Sequence, residues 1–123
     1  MTSPPEIETF WATLDHPLAD LAAAVRDGIA AIDPEIVESI KWQAPNFSRG
    51  VDFATFNFRR PQSVLLVLHT GARPKPEQSD IDLDDPSHLA TRPDRNRAIV
   101  TLAAGDDPDQ VTAVVRSWLS QLV

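Results

Sequence analysis

The chain has 123 residues, 42% of them hydrophobic, and a formal charge of −7. That length suits a single domain with a real core, and the acidity opposes binding to nucleic acid or an anionic membrane surface. With no cysteine in the chain, disulfides, zinc–thiolate sites, iron–sulfur ligation and thiol catalysis are excluded, so any metal must be held by oxygen and imidazole ligands.

Ser3-Pro4-Pro5-Glu6 has the pattern of a capping box and predicts a first helix. Ile7, Phe10, Trp11 and Leu14 would share one of its faces. Asp15 precedes a second helix, with Leu18, Leu21, Ala22, Val25, Ile29 and Ile32 as its apolar stripe. Asp33-Pro34 predicts a short third helix through Ile36, Val37 and Ile40, ending at Trp42.

Beyond the Ala44-Pro45 turn the period becomes extended. Val51–Phe58 reads as a strand, with Phe56 and Phe58 on one face and Val51 and Phe53 on the other. Arg59-Arg60-Pro61-Gln62 is short enough for a hairpin, so antiparallel pairing with the next strand is expected. Ser63–His69 is a continuous apolar run, as for a central strand covered on both faces. Gly71–Arg97 is polar and proline-studded, a long loop with one short strand or turn near Ile81–Leu83. Ala98–Ala103 makes a further strand. Asp107-Pro108-Asp109-Gln110 caps a last helix, whose buried stripe is Val111, Val114, Val115, Trp118, Leu119 and Leu122.

The implied fold is α+β: one domain over residues 1–123, an antiparallel β-sheet flanked by N-terminal helices and a C-terminal helix. No stretch approaches the ~20 apolar residues of a membrane span. The N-terminus lacks the basic start and apolar run of a signal peptide, so a cytoplasmic protein is expected.

Asp33-Pro34-Glu35, Glu38-Ser39-Ile40-Lys41-Trp42 and Ala44-Pro45-Asn46-Phe47, with the stretches Val51–Phe58, Val64–His69 and Asp85–Leu102, resemble the YdhG-like family, domain of unknown function 1801. The resemblance implies a small intracellular α+β sandwich, frataxin-like in shape. At least one member of that family is regarded as a frataxin-type iron chaperone, so weak ferrous-iron binding by surface carboxylates is implied as well. The chain departs from many relatives after the apolar strand, where the polar segment Gly71–Asp80 replaces a compact, glycine-rich one.

Asp80, Asp82, Asp84, Asp85 and His88 form the densest set of hard ligands. In an extended segment Asp80, Asp82 and Asp84 fall on one side, where oxygens could converge on Fe, Mn, Ca or Mg. An EF-hand is excluded, because Asp85 and Thr91 stand where its glycine and closing glutamate belong. A solvated acidic loop would look the same. Glu6 and Glu8 on the first helix are the next candidates, against an ordinary solvent face.

A second constellation surrounds the aromatic junction. Trp42, Pro45, Phe47, Phe53 and His69 could line an apolar pocket with Lys41 or His69 as its polar element. Packing alone would also account for these aromatics, and core is the first reading of them. No catalytic pattern emerges. The serines lack a nucleophile-elbow context, the histidines His16, His69 and His88 lack metal-ligand spacing, and the four glycines form no phosphate loop.

The sequence thus points to a cytoplasmic binding domain that is not an enzyme. The first reading is a frataxin-like, low-affinity iron chaperone with no resident cofactor and Fe2+ as cargo. The alternative is a small-ligand or protein-interaction domain using Trp42–Phe47. A metal ion or a protein is the expected partner, not nucleic acid or membrane.

Overall fold

A computed structural model describes residues 5–71 and 76–122. Among them are helices α1 (Pro5–Thr13), α2 (Ala19–Ala30) and α3 (Pro108–Ser120) and strands β1 (Val37–Lys41), β2 (Ala44–Arg49), β3 (Val51–Asn57), β4 (Val64–His69), β5 (Ala90–Asp94) and β6 (Arg97–Leu102). The strands form one fully antiparallel sheet in the order β1-β2-β3-β4-β6-β5. The α+β class and the flanking terminal helices follow the sequence expectation. Ser3 and Pro4, the start of the expected first cap, lie outside the described residues.

β4 runs through the middle of the sheet and shows how the layers are divided. Val64, Leu66 and Leu68 are buried, while Leu65, Val67 and His69 between them are only half-buried. The buried set joins Ala98, Val100 and Leu102 of β6 and Phe47, Ala54 and Phe56 of β2 and β3 in one core under α2 and α3. The run is therefore covered by helices on one face only, not on both as its composition suggests. The opposite face is the one that matters for function.

The helices are fastened by ordinary means. The Asp107 side chain accepts from the Asp109 amide with Pro108 at the first helical position, as the sequence predicts. Trp118 of α3 is fully buried and donates its indole N–H to the His69 carbonyl at 3.0 Å. Gly28 of α2 lies against Thr112 of α3 so closely that an added Cβ would collide with Thr112 Oγ1. The helix crossing there depends on glycine.

Four further expectations need correction. Residues 33–40 do not form a third helix: Asp33 makes a turn by accepting from the Glu35 amide at 2.9 Å, and Val37–Lys41 is an edge strand. Ile36 and Ile40 are spaced for a helix face, and so short an apolar run fits either period. Trp42 accordingly ends no helix; with Gln43 it forms the two-residue turn of the β1–β2 hairpin, between the paired Lys41 and Ala44. Phe53 and Phe56 do not point to opposite sides, since both are buried in the same core. A β-bulge makes the change: Phe47 pairs with Ala54 but Ser48 with Asp52, leaving Phe53 as the extra residue. Finally, Ile81–Leu83 is irregular chain rather than strand, tied down where Gln121 binds both the amide and the carbonyl of Asp82, and the strand of this region is β5.

Candidate functional site

The face of the sheet turned away from α2 and α3 carries a groove of about 940 Å³, with Phe10 of α1 among its lining residues. Thr55 of β3, Val67 and His69 of β4, and Arg97 of β6 belong to its floor and wall, and Trp42 stands at the β1–β2 turn. The volume is that of a small-molecule site, with a mixed lining of the kind such sites show.

Trp42 combines apolar exposure with backbone strain. It is 69% exposed, one of two large hydrophobics so exposed among the described residues, the other being Val37. Its backbone is left-handed, φ 52°, and so is that of Gln43, φ 61°. Both angles are those of a type I′ turn, which normally takes Asn-Gly. Each non-glycine residue there costs roughly 1–2 kcal/mol. Strain and apolar exposure at one residue mark a position held for something other than stability.

Beneath the tryptophan runs a continuous chain of hydrogen bonds. Lys41 Nζ donates to Asp52 Oδ2 at 2.7 Å, and Asn46 Nδ2 donates to Asp52 Oδ1 at 3.0 Å. Thr55 Oγ1 donates to Asn46 Oδ1 at 2.7 Å, and His69 Nε2 lies 3.1 Å from Thr55 Oγ1. Asn46, fully buried, is the centre of this chain. Burial opposes ionisation of Asp52, but hydrogen bonds from Lys41 and Asn46 outweigh it and hold the carboxyl below its ordinary range. Burial pushes the His69 imidazole below its ordinary value; the Asp52 charge works against this and the Lys41 charge with it. His69 is therefore neutral at pH 7.

One polar atom along the groove is left over. Thr70 follows His69, is buried, and also lines the groove, and its hydroxyl has no hydrogen-bond partner among the described residues. Such an orphan costs about 1–3 kcal/mol.

The candidate residues read from the sequence divide sharply. Lys41, Trp42 and His69 line the groove, whereas Pro45, Phe47 and Phe53 are buried, the two phenylalanines in the core on the helix side. Asn46, Asp52, Thr55, Thr70 and Arg97 were not read as pocket residues. The hard-ligand candidates do not converge. Asp80 pairs with Arg95 at 2.9 Å, both carboxylate oxygens of Asp85 accept the amides of Leu89 and Ala90, and Glu8 reaches Arg26 at 3.7 Å. Asp82 and Asp84 are exposed, with their backbone amides held by Gln121 and Ser117. His88, also exposed, sits at φ 55°, and Glu6 is exposed on α1. No group of three or more His, Asp or Glu side chains placed to hold a metal ion occurs among the described residues.

Compared with protein families, curated proteins and solved structures, the chain matches none. Residues 41–47 lie in the hairpin at the head of the groove. No helix among the described residues is long and apolar enough to cross a membrane.

Proposed function

We propose that this domain is a non-enzymatic binding protein for a small organic molecule, held in the groove between Trp42 and His69. The observation that carries the proposal is Trp42, exposed and strained at the mouth of the groove. An indole so placed offers a flat apolar surface on which an aromatic or aliphatic ligand body would recover the exposed area. The Lys41–Asp52–Asn46–Thr55–His69 chain fixes the polar groups behind it, so a ligand meets a site already ordered. A cytoplasmic location remains part of the proposal.

Iron handling by surface carboxylates is the weaker reading, because Asp80, Asp85 and Glu8 are engaged within the protein. Titrating mixed small aromatic fragments into 15N-labelled protein separates the two. Ligand binding in the groove would shift the Trp42 indole and the Thr55, Val67 and His69 amides. Silence there, together with saturable Fe2+ broadening over Asp80–His88, would reverse the preference.

A further inference from the structure

The hydrogen-bond chain has a direction, and the direction fixes the His69 tautomer. Asp52 is ionised and can only accept, so Asn46 must turn its NH2 group towards it. The carbonyl oxygen of Asn46 then faces Thr55, whose hydroxyl proton is committed to it at 2.7 Å. Towards His69 the Thr55 oxygen has only lone pairs left. The proton at that 3.1 Å contact must therefore come from His69 Nε2. A neutral imidazole carries one N–H, so Nδ1 holds a bare lone pair, and it has no partner among the described residues.

Arg97 stands directly opposite His69 in the β4–β6 register and lines the same groove. Its Nε is engaged by Asp94 at 2.9 Å, which leaves the two terminal NH2 groups as donors. The register thus places an acceptor and donors on neighbouring strands of one groove. We propose that the groove selects a neutral molecule presenting an N–H or O–H donor beside an acceptor, as on the edge of an amide or lactam, over a simple carboxylate. A carboxylate could also accept from Arg97, whose charge Asp94 already offsets, but it would set its own lone pairs against the bare Nδ1. The inference rests on the groove being the binding site.

Benzamide and benzoate, nearly isosteric, test it at pH 7.5 on protein with 15N-labelled histidine and tryptophan. In the free protein the His69 ring should show a protonated Nε2 and an unprotonated Nδ1. Benzamide should move the Nδ1 resonance and the Trp42 indole together, and bind roughly tenfold more tightly than benzoate, the factor one such hydrogen bond supplies. A proton on Nδ1 in the free protein, or benzoate binding as well as benzamide, overturns the selectivity while leaving groove binding intact. No response of Trp42 or His69 to either compound overturns the groove itself, and the selectivity with it. Thr55→Val should release the tautomer, mixing both forms of His69 and narrowing the preference. An unchanged tautomer in Thr55→Val would show that the chain does not direct it.

Discussion

Asp52 and Thr55 are three residues apart on one strand and yet meet the same side chain, Asn46. On a regular strand residues three apart point to opposite faces. The bulge at Phe53 inserts one residue and brings both to the groove side, while Phe53 itself turns into the core. The polar chain beneath Trp42 exists because of this irregularity. Asp52→Ala should cost about 1–3 kcal/mol in urea unfolding, since it removes the 3.0 Å acceptor of the buried Asn46 amide and leaves it only the long 3.5 Å contact to Ser39 Oγ. A loss near zero would mean that water replaces the carboxylate there.

Trp42→Ala separates function from stability. The side chain is mostly exposed, so unfolding stability should change by less than about 0.5 kcal/mol, while fragment binding in the groove is lost. The measurement is a urea curve beside an NMR titration. Large destabilisation would make Trp42 a packing residue after all.

Gln43→Gly addresses the strained turn. Relief of a left-handed backbone at φ 61° offsets the greater freedom of glycine in the unfolded chain. The expected gain is roughly 0.5–1 kcal/mol by denaturant unfolding. A loss would show that the Gln43 side chain does more than occupy the turn.

The α2–α3 crossing gives the opposite sign. Gly28→Ala should destabilise by about 1–3 kcal/mol, because its Cβ would meet Thr112 Oγ1 and the two helices cannot part freely. Thr112→Ala removes the obstructing oxygen, so the double variant should recover part of the loss. Additive costs in the cycle would contradict the close approach.

The pH dependence follows from His69. Its folded pKa lies below the ordinary 6.5, so the unfolded chain binds the proton more readily. The contribution is fully present above pH 6.5 and is lost as pH falls through the lower folded value. Asp52 and Lys41 set that value together with burial. The Asp52, Asp33 and Asp94 carboxyls, held below 3.8, lose their contributions only in a second, more acid window. Comparing wild type with His69→Gln from pH 8 to 5 checks the first window: the variant should be flatter.

Much of this fold is legible in the residues. The cap at Asp107 and the stripes of α2 and α3 carry the helices, and the short Arg59–Gln62 connection announces antiparallel β3 and β4. The β1–β2 hairpin is not legible, because Lys41-Trp42-Gln43-Ala44 lacks the glycine or asparagine that normally marks a type I′ turn. Half of the site was hidden for the same kind of reason. Asn46, Asp52 and Thr55 come together only through that hairpin and the bulge, and neither leaves a pattern in the spacing of the chain. The close approach of Gly28 to Thr112 was likewise not read from the sequence, since the two meet only when α2 packs on α3.

The most direct test of the groove is a crystal of the protein soaked with benzamide. Density between the Trp42 indole and His69, with the amide edge against Nδ1 and the Arg97 guanidinium, is the expected result. An unaltered groove at saturating benzamide, or density confined to another surface, would contradict the assignment of this face as the binding site.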